Sequence, residues 1–386
     1  MRTIRCDGSP TAVAELTSAI AAALDNAGPP VLPLGAAGAA LLPLANVATV
    51  TDTTAVVVAT SGSGGEPRFV ELPTSALRAS AAATQARIGD ARWLLALPAE
   101  HIAGVQVIVR ALLAGDAPVV QNVRTGFHVA DFAVATARLG AGPCCTSLVP
   151  TQLLRLLDAG GPAVEALRSY TAVLVGGAAL DAGLRARAEV AGVHVVTTYG
   201  MSETAGGCVY DGVPLDGVRI ELDGGDGRVR IGGPILATGY LGLPDESAAA
   251  FGGDWFRTAD LGRWHGDRLE VLGRVDDVIV TGGEKVVPAA VEQALTAQPG
   301  VRGACVVGVP DPEWGHVVAA AVVPDAAASP DHDRLRDAVR ADLGRAAVPR
   351  RMLSLPELPL RGVGKPDRAA VARLFTSASN PAPLSG

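Results

Sequence analysis

From Thr54 to about Val196 the chain sets short apolar runs against longer stretches whose apolar residues recur at helical spacing. Ala55–Ala59, Trp93–Leu97, Pro118–Val120, Thr171–Val175 and His194–Thr197 read as buried strands. Thr74–Ile88, Ile102–Leu113, Val129–Leu139 and Thr151–Leu157 read as helices between them. Alternation of this kind predicts α/β layers around a largely parallel sheet. From Val218 onward the pattern changes to short alternating segments, Val218–Leu222 and Arg228–Ile231, which predict an antiparallel sheet or distorted barrel within the same large domain.

After a strand-like Arg268–Leu272 comes the polar run Gly273-Arg-Val-Asp-Asp277, where we place a domain boundary. Beyond it a helix at Pro288–Ala297, strands at Ala304–Val309 and Val317–Val323, and helices at Asp331–Leu343 and Asp367–Phe375 predict a compact α+β unit. The expected division is a large N-terminal α/β domain over 1–275, a small C-terminal α+β domain over 276–375 and a frayed tail over 376–386.

Composition narrows the function. With 49% apolar and 18% charged residues the chain lies far from the composition of disordered segments. Its 32 Lys and Arg against 39 Asp and Glu give a net charge of -7 with no basic block, so nucleic acid is not an expected partner. The uncharged stretch Ala27–Thr51 is long enough to cross a bilayer but is broken by Pro29, Pro30, Pro33 and Pro43, so turns and short strands are expected there and no membrane span. Five cysteines, Cys6, Cys144, Cys145, Cys208 and Cys305, show no metal-binding spacing, and the N-terminus shows no export signal; a cytoplasmic setting is expected. A homodimer is left open. Only Lys285 and Lys365 among the 32 cations are lysines, so a site for a compact ammonium stands out from an Arg background.

Four segments carry candidate chemistry. Thr60-Ser-Gly-Ser-Gly-Gly-Glu-Pro-Arg68 follows a buried strand, and its glycines and hydroxyls suit a phosphate cradle, although a surface turn has the same composition. Tyr199-Gly-Met-Ser-Glu-Thr204 offers a ring to stack on a base, hydroxyls for phosphate and a carboxylate for magnesium; an ordinary strand-to-loop turn is the alternative. Asp260 could accept both hydroxyls of a ribose and Arg274 could donate to the same sugar, or both could be surface-pair residues. Gly362-Val-Gly-Lys-Pro366 places Lys365 among small residues on a loop able to enter a cleft.

In this order and spacing the segments resemble the adenylate-forming superfamily of acyl-CoA synthetases, luciferases and peptide-synthetase adenylation domains, over about Ala55 to Arg368. The resemblance implies a pyrophosphate loop at Thr60, Ser61, Gly62, Ser63, Gly64 and Gly65, and a nucleotide site lined by Gly176, Gly177, Ala178, Tyr199, Gly200, Met201 and Ser202. It makes Glu203 the magnesium ligand, Thr204 the α-phosphate contact, Asp260 and Arg274 the ribose clamp, Asp276 the hinge and Lys365 the adenylation lysine. His101 resembles the gate beside the acyl pocket, and Gly282, Gly283 and Lys285 the face turned toward a pantetheine tunnel. Three positions depart from the family pattern: Gly64 replaces a hydroxyl residue, Arg68 a lysine and Ala259 a glycine.

The implied activity joins a small carboxylate to AMP, using ATP and Mg2+, and passes the acyl group to coenzyme A as the small domain swings about its hinge. The short N-terminal build and the segment Pro359-Leu-Arg-Gly-Val-Gly-Lys365 resemble the actinobacterial form of the o-succinylbenzoate–CoA ligase branch, of menaquinone synthesis. The alternatives are a ligase or carrier-protein-loading enzyme for another acid and, more distantly, a non-catalytic nucleotide-binding homologue.

Overall fold

The computed structural model describes residues 1–35, 49–61, 67–225, 227–325, 330–361 and 365–377. Among the described residues, three sheets build the span up to residue 274. The first runs β1 (Arg2–Arg5), β2 (Val31–Leu34), β3 (Thr54–Ser61), β4 (Pro67–Pro73) and β14 (Gly239–Tyr240), with β1, β2 and β3 parallel and the last two added antiparallel. The second holds β5 (Arg92–Leu95), β6 (Val119–Val120), β7 (Cys144–Leu148), β8 (Ala172–Val175), β9 (Val195–Met201), β10 (Gly206–Tyr210) and β11 (Val213–Pro214). Its order β11-β10-β9-β8-β7-β5-β6 is parallel from β9 to β6, as the alternating pattern predicts.

The third sheet is antiparallel throughout: β12 (Arg219–Leu222), β13 (Arg228–Gly232), β16 (Trp255–His265) and β15 (Phe251–Gly252), with β17 (Arg268–Arg274) along β16. Of the two forms expected, this is the antiparallel sheet. A 3-10 turn at Val275–Asp277 leads into the last unit, whose main sheet runs β19 (Glu284–Val286), β18 (Ile279–Thr281), β21 (Gly315–Pro324) and β20 (Val301–Asp311), with β22 (Arg351–Ser354) parallel to β21. A separate two-stranded piece pairs β23 (Leu360–Arg361) with β24 (Lys365–Pro366).

Helix Ile102–Leu113 has the predicted bounds and lies in the main core, with Val105, Val107, Ile108 and Val109 all fully buried. Helix Thr74–Ile88 packs beside it. A polar network is sealed between them: Thr84 Oγ1 and Tyr210 Oη are 2.9 Å apart, and Arg110 Nη2 donates to Tyr210 Oη at 3.3 Å. Arg110 is 7% exposed and its guanidinium lies 5.2 Å from the Trp93 ring centroid. A buried cation is costly without partners, so the Tyr210 hydroxyl and the Trp93 face set where this helix sits.

Several elements differ from expectation. Helix Pro10–Leu24 and strand β4 were not predicted; the first precedes the region where alternation is legible, and the second is hidden in the tail of the Gly/Ser run. Strand β17 continues through Gly273 and Arg274, because both pair across to β16. Gly273 has φ +146, and a Cβ there would lie 2.8 Å from Val287 Cγ1, so glycine is required where the first body meets helix Pro288–Thr296. The last helix, Arg368–Ser377, runs two residues past the predicted end, with Asp367 Oδ1 accepting from Ala370 N at 2.9 Å as its cap. The remaining tail, 378–386, and most of Ala27–Thr51 lie outside the described residues.

All five cysteines are buried and free, and burial pushes the Cys208 thiol up to about 12, so none is placed to act as a nucleophile. No described helix is long and apolar enough to cross a membrane.

Removing the Tyr210 hydroxyl tests the buried network. Tyr210→Phe should lower unfolding free energy by about 1–3 kcal/mol, the cost of leaving a buried polar group short of a partner, measured by urea denaturation. A change of under about 0.5 kcal/mol would show that Arg110 does not depend on it.

Candidate active site

In an open parallel sheet, ligands meet the carboxyl ends of the strands, where loops and helix starts converge. That edge of the second sheet carries the turn before His101, the segment Gly176–Ala178 after β8 and the end of β9 at Tyr199–Met201. His101 is exposed at the start of helix Ile102–Leu113. Gly177 has φ +81, and a Cβ on Gly176 would meet Thr198 Oγ1 at 2.3 Å, so this loop can lie against β9 only as glycine. Gly177 and Ala178 are exposed.

The loop after β9 is fixed by its own backbone. A Cβ on Gly200 would fall 2.1 Å from the Gly206 carbonyl oxygen, so the hairpin closes only around glycine. Ser202–Thr204 form a 3-10 turn, Ala205 follows at φ 48, and Ser80 Oγ donates to its carbonyl at 2.9 Å. Thr204 is fully buried; its hydroxyl accepts from Met201 N at 3.0 Å and faces the Gly206 carbonyl at 2.8 Å. In this state the hydroxyl serves the turn rather than a ligand.

Glu203 is the carboxylate this turn presents. Tyr240 Oη donates to its Oε1 at 3.0 Å. Burial raises its pKa above the ordinary carboxylate value, against the opposing pull of the Tyr240 hydrogen bond and of Arg68 and Arg274. Arg68, where the resembled pattern has lysine, lies 5.1 Å from the Tyr240 ring centroid and 2.7 Å from Glu246 Oε2, an ion pair without hydrogen-bond alignment. Tyr240 and Glu246 were missed by sequence reasoning; an isolated Gly-Tyr pair and a helix-start glutamate give no signal of either contact.

Asp260 and Arg274 are directly opposed on β16 and β17. Asp260 is 8% exposed; its Oδ2 accepts from Tyr199 Oη at 2.7 Å, and its Oδ1 lies 3.6 Å from Arg274 Nη1. Arg274 Nη2 also donates to Asp276 Oδ2 at 2.9 Å. Tyr199, Asp260, Arg274 and Asp276 thus form one continuous polar chain, with Glu203 coupled electrostatically to Arg274.

The C-terminal residues sit on other elements. Gly282 and Gly283 form the turn between β18 and β19, both at positive φ, with Lys285 exposed on β19. Lys365 is in β24, opposite Arg361, with its side chain outside the described residues. Of the predicted phosphate loop, Thr60 is the next-to-last residue of β3, its hydroxyl 3.4 Å from the Arg68 carbonyl oxygen. Gly62, Ser63, Gly64 and Gly65 and the Ser61 side chain lie outside the described residues. Among the described residues no three His, Cys, Asp or Glu gather around one point, and the carboxylate that the Ser202–Thr204 turn offers a cation is Glu203. Magnesium bound beside phosphates fits such a donor set.

The AMP-binding enzyme model matches residues 9–241, and that of the AMP-binding enzyme C-terminal domain residues 290–365. A probable 2-succinylbenzoate–CoA ligase from Mycobacterium tuberculosis is 47% identical over 329 residues, 84% of this chain and 85% of its own length. Among solved structures, o-succinylbenzoate CoA synthetase (MenE) from Bacillus subtilis, in complex with the acyl-adenylate intermediate OSB-AMP, superposes with a TM-score of 0.72 at 26% identity, covering 88% of this chain and 74% of that one. The amide bond synthetase McbA from Marinactinospora thermotolerans gives 0.75 at 30% identity, covering 84% and 70%.

The Tyr240–Glu203 bond has a pH signature. A carboxyl whose folded pKa is raised contributes stability that is complete below its unfolded value and is lost as pH rises through the folded value. Tyr240→Phe removes a donor that favours the ionised form, so the folded value climbs further and the loss grows. Urea unfolding at about pH 5 and about pH 8 should show a fall steeper than in the parent by up to roughly 1.5–3 kcal/mol, the range for hydrogen bonds to charged groups. Parallel pH dependence would show that the bond does not act on the ionised carboxylate.

Proposed function

The chain belongs to the AMP-binding enzyme family, and from that membership we propose that it activates 2-succinylbenzoate as an acyl-adenylate and transfers the acyl group to coenzyme A. The observation that carries this reading is the 47% identity to a probable 2-succinylbenzoate–CoA ligase over more than four-fifths of both chains. The polar chain Tyr199–Asp260–Arg274 supports it with a buried carboxylate suited to a ribose and a guanidinium beside it.

On this reading Asp260 receives ribose hydroxyls, Arg274 supplies charge at the same sugar, and the Tyr199 ring and the Gly176–Ala178 backbone take the adenine. Glu203 would hold the magnesium that accompanies ATP, which would supply neutralisation of phosphate charge. Thr204 would reach the α-phosphate by exchanging its present backbone partner. The residues from Thr60 to Gly65 cradle departing pyrophosphate, and Lys365 places an ammonium at the forming acyl phosphate. Attack on the adenylate by a thiolate then releases AMP. Residues 1–275 and 276–375 act as separate domains turning about Asp276, which removes Lys365 and brings Gly282, Gly283 and Lys285 to the thiol. His101 flanks the acyl group. Because McbA makes an amide, the acceptor is the part of the reading to test against amines as well as thiols.

Two measurements check the proposal. Thioester formation should favour 2-succinylbenzoate over benzoate, phenylacetate and medium-chain fatty acids; a tenfold preference for one of those, about 1.4 kcal/mol in specificity, would overturn the substrate. Lys365→Ala should slow pyrophosphate release by on the order of 10² or more while AMP release from supplied acyl-adenylate and CoA stays near the parent rate. Equal slowing of both steps would overturn the assigned role of the lysine.

A further inference from the structure

The terminal torsion of an aspartate is soft and broad, so a carboxylate meant to receive two vicinal hydroxyls at once needs something to fix its plane. Asp260 has such a fixture. Its Oδ2 accepts a 2.7 Å hydrogen bond from Tyr199 Oη, whereas Arg274 Nη1, 3.6 Å from Oδ1, supplies charge at a distance that sets no orientation. The backbone beneath is held as well: Asp260 N donates to Thr258 Oγ1 at 2.9 Å, and Thr258 Oγ1 donates to the Val229 carbonyl at 2.8 Å.

We propose that Tyr199 is a positioning residue for Asp260, its hydroxyl fixing the carboxylate so that the site tells a ribose from a sugar lacking its hydroxyls. The inference rests on the nucleotide reading above and assigns Tyr199 a task separate from stacking. The two ends of the side chain divide the work: the residue is half-buried, and its hydroxyl is hydrogen-bonded to Asp260. Burial and the adjacent Asp260 charge push the Tyr199 pKa well above that of an ordinary phenol, so the hydroxyl keeps its proton and remains the donor. The Gly200 contact explains why the hydroxyl can hold a fixed place, since the chain beside it is closed against Gly206 with no room for a side chain.

Tyr199→Phe retains the ring and removes only the donor. Binding of ATP and of 2′,3′-dideoxyATP, each measured by calorimetry on the full chain, separates the two ends. The parent should prefer ATP. Tyr199→Phe should lose about tenfold in ATP affinity, about 1.4 kcal/mol, while its affinity for dideoxyATP stays within about twofold, which also reports that the variant is folded. Asp260→Asn should erase the same preference, and adding Tyr199→Phe to it should cost nothing further, as expected of two residues acting through one contact. Equal weakening toward both nucleotides, or no weakening toward either, would overturn the positioning role. A parent that binds both nucleotides equally would overturn the ribose assignment of Asp260 itself, and a parent that binds neither would overturn the nucleotide reading on which this inference stands.

Discussion

A single guanidinium ties the candidate site to the proposed domain boundary. Arg274 faces Asp260 on the neighbouring strand and Asp276 two residues further along its own chain. The antiparallel register of β16 and β17 makes this unavoidable, because it sets Asp260 and Arg274 directly opposite each other just before the chain leaves the sheet. A charge shared between two acids cannot favour both equally. On the proposed reading, a sugar at Asp260 would change what Arg274 offers Asp276, a physical link from the nucleotide to the proposed hinge.

On the C-terminal side of that boundary the next acid has its own cation. Asp277 lies 3.4 Å from Arg368 Nε, while Arg368 Nη2 donates to Glu292 Oε2 at 3.0 Å and its Nη1 to the Val306 carbonyl at 2.6 Å. Arg368 follows Lys365 by three residues, so the strand that bears the lysine is anchored to the turn that follows Arg274. Adjacent acids, Asp276 and Asp277, thus face opposite bodies through different arginines. That division suits a boundary at this turn, although both pairs are half-exposed and each adds little to overall stability.

Much of this organisation was legible in the sequence, for identifiable reasons. Helices Thr74–Ile88 and Ile102–Leu113 have the bounds expected because each is bracketed by turn residues and buries a mainly apolar face, broken by Ser80 and Thr84 in the first and by Gln106 and Arg110 in the second. The parallel sheet was legible because its strands are buried runs separated by helices. Strand β4 was not, since Pro67 and Arg68 look like the end of a loop until their pairing with β3 is seen. Helix Pro10–Leu24 is alanine-rich with few charges, which leaves its polar face faint.

For the site, the motifs marked Tyr199, Glu203, Asp260 and Arg274, but their mutual contacts depend on bringing β9, β16 and β17 together. No local spacing announces that Tyr199 and Asp260, 61 residues apart, share a hydrogen bond, or that Tyr240 serves Glu203. Arg68 was visible only as a departure from a family pattern; its stacking on Tyr240 shows how a planar cation finds a place that a lysine would use differently. The central claim is that these residues form one site for an acyl-adenylate. Its most direct measurement is calorimetric binding of a non-hydrolysable sulfamoyl analogue of 2-succinylbenzoyl-AMP to the parent and to Asp260→Ala. The account predicts tight binding with one site per chain, weakened by on the order of 10² in the variant; absence of binding to the parent, or equal affinity for both proteins, would contradict it.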